Sequence, residues 1–259
     1  MNDTTVLESD ALAPESVEVE QLADCSAEYQ HHLKRLLSMQ AYAERNGATE
    51  LSLWIPKAPD FRVRRLLARI MADEADHSFR LYAVLHDMGV SEDDAIAIAQ
   101  GRSGGGPTKA ALEGPVEVGN PDNSWDDIVL STMFLDRAGR FMVENFSMSS
   151  YAPWAKACKR ILKDEYFHQG FGLKQFQIRL GSEPDRDAWR SKVTKWYAHG
   201  LNFFGPPGSS KTELLRSMGL KRKSNEELRE GYRQEVEELM ASIGASDLIA
   251  LSDNAYPYA

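Results

Sequence analysis

Asp73-Glu74-Ala75-Asp76-His77 and Asp164-Glu165-Tyr166-Phe167-His168 decide the fold of this 259-residue chain. Each run holds a Glu-x-x-His pair. Three residues turn a helix through about 300°, so Glu and His share one face about one turn apart. Val63, Leu67 and Ile70 lead onto the first pair at steps of 3 and 4, and Leu81 and Val84 continue beyond it. Cys158 and Ile161 lead onto the second pair in the same way. Both pairs therefore sit on the apolar stripe of an amphipathic helix. A single copy of this pattern reads as solvent-facing. Two copies on core stripes read as a two-metal site inside a four-helix bundle.

The bundle reading requires two more acids upstream, and they are present. Leu33, Leu37 and Ala41 lead onto Glu44, and Val129 and Met133 lead onto Asp136, with Val143 beyond. Glu44 and Glu74 are 30 residues apart, and Asp136 and Glu165 are 29 apart. The chain thus encodes two helical hairpins, each with one acid and one Glu-x-x-His. Four carboxylates in one core repel one another and are costly to bury unpaired. Two divalent cations balance the four charges. Carboxylate with imidazole suits iron, with manganese as the alternative. Glu44, Glu74, His77, Asp136, Glu165 and His168 are the expected metal ligands, with coordination positions left open for dioxygen and substrate. Asp73 and Asp164, immediately before the two Glu ligands, are placed to accept a hydrogen bond from the metal-bound imidazoles.

The rest of the chain is organised around this core. Residues 1–19, rich in Asp, Glu, Ser and Thr, read as disordered. Residues 20–259 read as one domain, with core helices over about 26–54, 60–88, 124–149 and 153–180. The first of these weakens near Asn46-Gly47. Ser91 caps a short helix to Ala99. Gly101, Gly104-Gly105-Gly106-Pro107, Gly114-Pro115 and Gly119-Asn120-Pro121 make residues 101–123 a long loop. Further helices are expected over Asp185–Leu201, Thr212–Met218 and Ser224–Ile243, the last opened by a Ser224-Asn225-Glu226-Glu227 capping box. No β alternation is present, so the fold class is all-α.

Composition narrows the function. Thirty basic against 39 acidic side chains give a net charge of −9, which argues against a nucleic-acid binder. No run has the apolar length of a membrane span. The acidic first twenty residues lack the basic and apolar regions of a secretory signal, which implies a cytoplasmic protein. The two cysteines, Cys25 and Cys158, are too few for a thiolate site and read as plain thiols. Phe141, Phe171 and Phe176 read as core. Tyr166, next to a ligand but off its face, is a weak candidate for a radical-bearing residue.

Several segments are similar to the catalytic subunit family of phenylacetyl-CoA epoxidase, among the ferritin-like di-iron monooxygenases of phenylacetate catabolism. They are Trp54-Ile55-Pro56-Lys57-Ala58-Pro59, Asp73 to His77, Leu135-Asp136 and Lys163-Asp164-Glu165-Tyr166-Phe167-His168-Gln169. A weaker match joins Phe204-Gly205-Pro206 to Lys221-Arg222-Lys223-Ser224-Asn225-Glu226-Glu227-Leu228-Arg229. The resemblance implies a ferritin-like four-helix bundle with additional C-terminal helices, holding two iron ions on the same six residues. It implies epoxidation or hydroxylation of an aromatic or acyl-CoA-type substrate by dioxygen, with electrons from a reductase. It also implies assembly with a related helical subunit or with further copies of the chain.

One departure stands out: the family pattern has Lys one turn before the first Glu-x-x-His, where this chain has Ile70. A stand-alone di-iron oxygenase acting on a non-thioester biosynthetic substrate, and a non-enzymatic iron-binding protein, are the alternatives. Arg62, Arg65 and Arg69 are candidate contacts for an anionic substrate. A solvated helix face, or docking of an acidic electron-transfer partner, would account for them equally.

Overall fold

The computed structural model describes residues 18–101, 123–182 and 185–249. The expectations for residues 1–17 and for the loop between 102 and 122 lie outside the described residues. Among the described residues eight α-helices follow in order: α1 Ala27–Trp54, α2 Phe61–Asp87, α3 Glu92–Ala99, α4 Trp125–Phe146, α5 Ala152–Ser182, α6 Arg186–Asn202, α7 Ser210–Ser217 and α8 Asn225–Ser242. Among the described residues the only β pairing is an isolated parallel bridge between Val19 and Tyr151.

The helices begin where the local chemistry starts them. Asp60 accepts from Val63 N at the head of α2, and Ser91 accepts from Asp94 N at the head of α3. Ser124 with Asp127, and Ser224 with Glu227, form reciprocal capping boxes for α4 and α8. Helix α1 runs unbroken through Asn46-Gly47 to Trp54, against the expected weakening there. A glycine inside a helix costs about 1 kcal/mol relative to Ala. Here the missing side chain is used: a Cβ on Gly47 would lie 3.3 Å from Glu74 Oε2.

Helix α1 packs along α2 as one hairpin, α4 packs along α5 as the other, and α2 against α5 joins them. This is the ferritin-like four-helix bundle. One apolar cluster includes Leu33, Leu37, Leu81, Leu85, Trp154 and Ile161. A second, with Trp54, Leu67, Ile70, Ile128 and Phe171, lies toward the α1–α2 turn. Fully burying each such side chain stabilises the fold by about 1.5–3 kcal/mol. The level of the bundle between these clusters carries the polar residues. Gln40 joins α1 to α5 by accepting from Trp154 Nε1 at 2.8 Å.

The two helices of the second hairpin meet almost backbone to backbone. A Cβ on Gly172 would stand 2.6 Å from Met133 N and 2.8 Å from Thr132 C. Helices α6 and α8 cover the outer side of α4. Phe134, Phe141, Phe176, Trp189, Trp196 and Tyr232 form the core there. Phe141 and Phe176 are thus structural, and Phe171 belongs to the cluster beside Ile70. Buried Arg137 and Arg140 both donate to Glu235 of α8.

The weaker motif has a structural explanation. Asn225 is buried and donates to Pro206 O at 2.8 Å, while its Oδ1 accepts from Lys221 Nζ and Thr212 Oγ1, both at 3.0 Å. Gly205, at φ +82°, lets the Phe204-Gly205-Pro206 turn close onto it. Cys25 and Cys158 are free. Among the described residues no helix is long and apolar enough to cross a membrane.

Candidate metal centre

Helices α1, α2, α4 and α5 deliver Glu44, Glu74 with His77, Asp136, and Glu165 with His168 to one level of the bundle. Two groups of donor atoms form there, each with all its atoms within 4.8 Å of one another. Glu44, Glu74, His77 and Glu165 make one; Glu74, Asp136 and His168 make the other. Glu74 belongs to both, placing its carboxylate between the two imidazoles, whose ring centres are 5.8 Å apart.

The histidines face each other through Nδ1. His77 Nδ1 lies 3.6 Å from Glu44 Oε2 and 3.7 Å from Glu165 Oε1. His168 Nδ1 lies 3.1 Å from Glu74 Oε1. Both Nδ1 atoms are buried and make no hydrogen bond. Buried polar nitrogens are ordinarily satisfied, so two orphans aimed at four carboxylates fit a set of donors awaiting cations.

The outer ring nitrogens are held in a crossed pattern. His77 Nε2 is 3.3 Å from Asp164 of α5, and His168 Nε2 is 3.4 Å from Asp73 of α2. Each aspartate therefore serves the histidine of the other hairpin. With Nε2–H donated outward, Nδ1 is left as the lone-pair nitrogen facing the cage.

The donor side chains are largely buried. His77 and His168 have side-chain exposures of 1% and 0%, Glu165 of 5%, Glu74 of 10% and Glu44 of 11%.

The metal-free cage is a proton store. Burial, followed by the charge of Glu44, holds Glu74 well above the ordinary carboxylate range. Burial and then Glu74 do the same for Asp136 and Glu165. Burial opposes the charge on His77, but pairing with Glu44 prevails and pushes it up to about 9. The same pairing overcomes burial and lowers Glu44.

Raised groups bind protons in the folded state that the unfolded chain has released above the ordinary values of 3.8 and 4.5. The metal-free fold therefore loses stability as pH rises through this range, and His77 adds a loss that is complete only above about 9. A bound cation takes the place of those protons. The melting-temperature gap between cobalt-saturated and chelator-treated protein is expected to widen from about pH 5.5 to about pH 8. A gap that stays constant across that range would contradict a proton-filled cage.

Other residues singled out in the sequence lie apart from the cage. Tyr166 is 61% exposed and packs on Arg140, which argues against a radical role. Arg62 and Arg65 are exposed on α2. Arg69 packs on the Phe167 ring at 4.0 Å and pairs with Asp73 at 3.7 Å. Ile70 is fully buried in the apolar cluster beside the cage. Gly47 and Gly172 were missed as site-forming positions, because nothing in their local sequence shows which neighbour approaches them.

Residues 4–247 match the model of a family described as phenylacetic acid catabolic protein (PaaA_PaaC). Over 211 residues the chain is 26% identical to one of the subunits of 1,2-phenylacetyl-CoA epoxidase from Escherichia coli (strain K12). That alignment takes in 79% of this chain, which spans only 64% of the length of the relative.

Proposed function

The chain belongs to the phenylacetic acid catabolic protein family, and we propose that it is an oxygen-dependent di-iron monooxygenase. The proposed reaction is insertion of one oxygen atom, by epoxidation or hydroxylation, into an aromatic or acyl-CoA-type substrate. One observation carries the reading: two buried, unbonded imidazole Nδ1 atoms face each other across four carboxylates.

Glu44, His77 and Glu165 would hold one iron, Asp136 and His168 the other, with Glu74 shared. Two irons bound there supply electrons and open coordination positions for dioxygen chemistry. The protein's own contribution is positioning and dryness. Asp164 and Asp73 hold the imidazoles in one tautomer and orientation. The apolar cluster of Leu67, Ile70, Ile128 and Phe171 excludes water from one flank of the cage.

The relative is one chain of a multi-chain enzyme, which supports assembly with a related helical partner, and the chemistry requires an electron-donating reductase. Arg69 is engaged with Asp73 and Phe167, leaving Arg62 and Arg65 available to an anionic handle on the substrate.

The test is isotopic. Protein reconstituted with ferrous iron is given a chemical reductant, labelled dioxygen and an aromatic acyl-CoA such as phenylacetyl-CoA. One labelled oxygen atom in the product, by mass spectrometry, is the expected result. Oxygen uptake that stops once the iron is oxidised, with unlabelled organic material, would reduce the protein to an iron binder.

A further inference from the structure

The two halves of the cage repeat in sequence. Arg69, Asp73, Glu74 and His77 of α2 correspond to Arg160, Asp164, Glu165 and His168 of α5, at a constant offset of 91 residues. Glu44 and Gly47 of α1 correspond likewise to Asp136 and Gly139 of α4, at an offset of 92. A symmetric pair of metal positions would be the simple outcome of such a repeat. The structure breaks the symmetry in three places.

First, the donor groups differ. Three carboxylates converge with His77, and two with His168. Second, the acids behind the histidines differ. Arg69 pairs with Asp73 at 3.7 Å. Arg160, its counterpart, pairs with no carboxylate among the described residues, so no matching guanidinium stands beside Asp164 behind His77. Third, the glycines differ. Gly47 lies against the Glu74 carboxylate, whereas a Cβ on Gly139 would meet nothing within 4 Å.

The first two differences act in one direction. More anionic donors bind a divalent cation more tightly. A carboxylate accepting from the outer N–H of a ligating imidazole makes that imidazole a better donor, and a guanidinium beside the carboxylate offsets the effect. Asp164 is the more exposed acid, at 40% against 24% for Asp73, so water screens it more. The additional carboxylate around His77 outweighs that screening, because it acts in direct contact with the cation.

Resting on the two-metal reading above, we infer that the two positions are inequivalent and fill in order, the His77 position first. Arg69 is a positioning residue that keeps the His168 position the weaker of the two. Loading the second position is then the step that completes the centre. Gly47, by leaving room beside Glu74, lets the shared carboxylate serve both.

Titration of the full chain with cobalt(II), followed by visible absorption and calorimetry, tests the order. Two ions per chain are expected in two resolved steps, the first at least about tenfold tighter. His168→Gln should keep only the tight step, and His77→Gln only the weak one. Arg69→Leu should tighten the second step by up to about fivefold and leave the first unchanged, and Arg69→Lys should restore the original value. Arg160→Leu should move neither. Should the histidine variants not fold, Asp164→Asn, which leaves all six donors in place, is expected to weaken the first step alone. Two ions bound with equal affinity, or a tight step surviving in His77→Gln, would overturn the order while leaving the two-metal reading intact. A chain that binds no cobalt would overturn both.

Discussion

Glu74→Gln is expected to lose both metal ions rather than one. Glu74 is the residue common to the two donor groups, and its carboxylate stands 3.1 Å from His168 Nδ1. The amide has the same shape but no charge. It offers one oxygen in place of two and presents an NH2 to groups that need an anion. Changing a residue that merely supports a metal ligand costs about 10–100-fold in affinity, so loss of the shared ligand itself should cost at least about 100-fold for each ion.

The same substitution should move metal-free stability the other way. Burial and the charge of Glu44 hold Glu74 well above its ordinary range, so ionising it in the fold is unfavourable. A neutral amide removes that penalty above the ordinary value of 4.5. Elemental analysis after reconstitution should return well under one ion per chain, with a metal-free melting temperature at or above that of the parent near neutral pH. A variant that keeps two ions would remove Glu74 from the centre.

Gly172→Val should be the most damaging substitution that touches no candidate ligand. The new Cβ would meet the backbone of Thr132 and Met133 at 2.6–2.9 Å. Backbone cannot rotate away as a side-chain end can, so α4 and α5 must separate. Overpacking of this kind costs about 1–3 kcal/mol, and a β-branched residue recovers little of the helix propensity that Ala would. A loss of about 3 kcal/mol is expected.

The damage should also reach the site. His168 is one turn before Gly172 on α5, and Asp136 is one turn after Met133 on α4. Prising the helices apart draws those two donors from each other, so the ion at His168 should be lost before the ion at His77. Gly170→Ala is the matched control. Its Cβ would meet nothing within 4 Å, and it should gain up to about 1 kcal/mol from helix propensity. Urea denaturation of both variants checks this. Equal stabilities for Gly172→Val and the parent would mean that the close approach of the helices does not constrain the bundle.

Much of the fold can be read along the chain, for a physical reason. Steps of 3 and 4 put Val63, Leu67, Ile70, Glu74, His77 and Leu81 on one stripe of α2 whatever surrounds it, and caps such as Ser124 and Ser224 act within four residues. The same periodicity puts Glu44 and Asp136 on buried stripes. The weakening expected at Asn46-Gly47 illustrates the limit. Local propensity disfavours glycine in a helix, and only the carboxylate of Glu74, from another helix, gives that glycine a use.

Spacing alone was thus sufficient for an all-α bundle with six metal-type donors at one level, because helix periodicity is a local property. It could not assign Asp164 to His77 and Asp73 to His168, since that exchange arises where α2 and α5 run antiparallel past each other. Nor could it tell that Arg69 holds its acid while Arg160 does not, or that α5 rides directly on the backbone of α4 at Gly172. Those are through-space distances between residues far apart in the chain. They turn a nearly symmetric sequence repeat into two unequal positions in one cage.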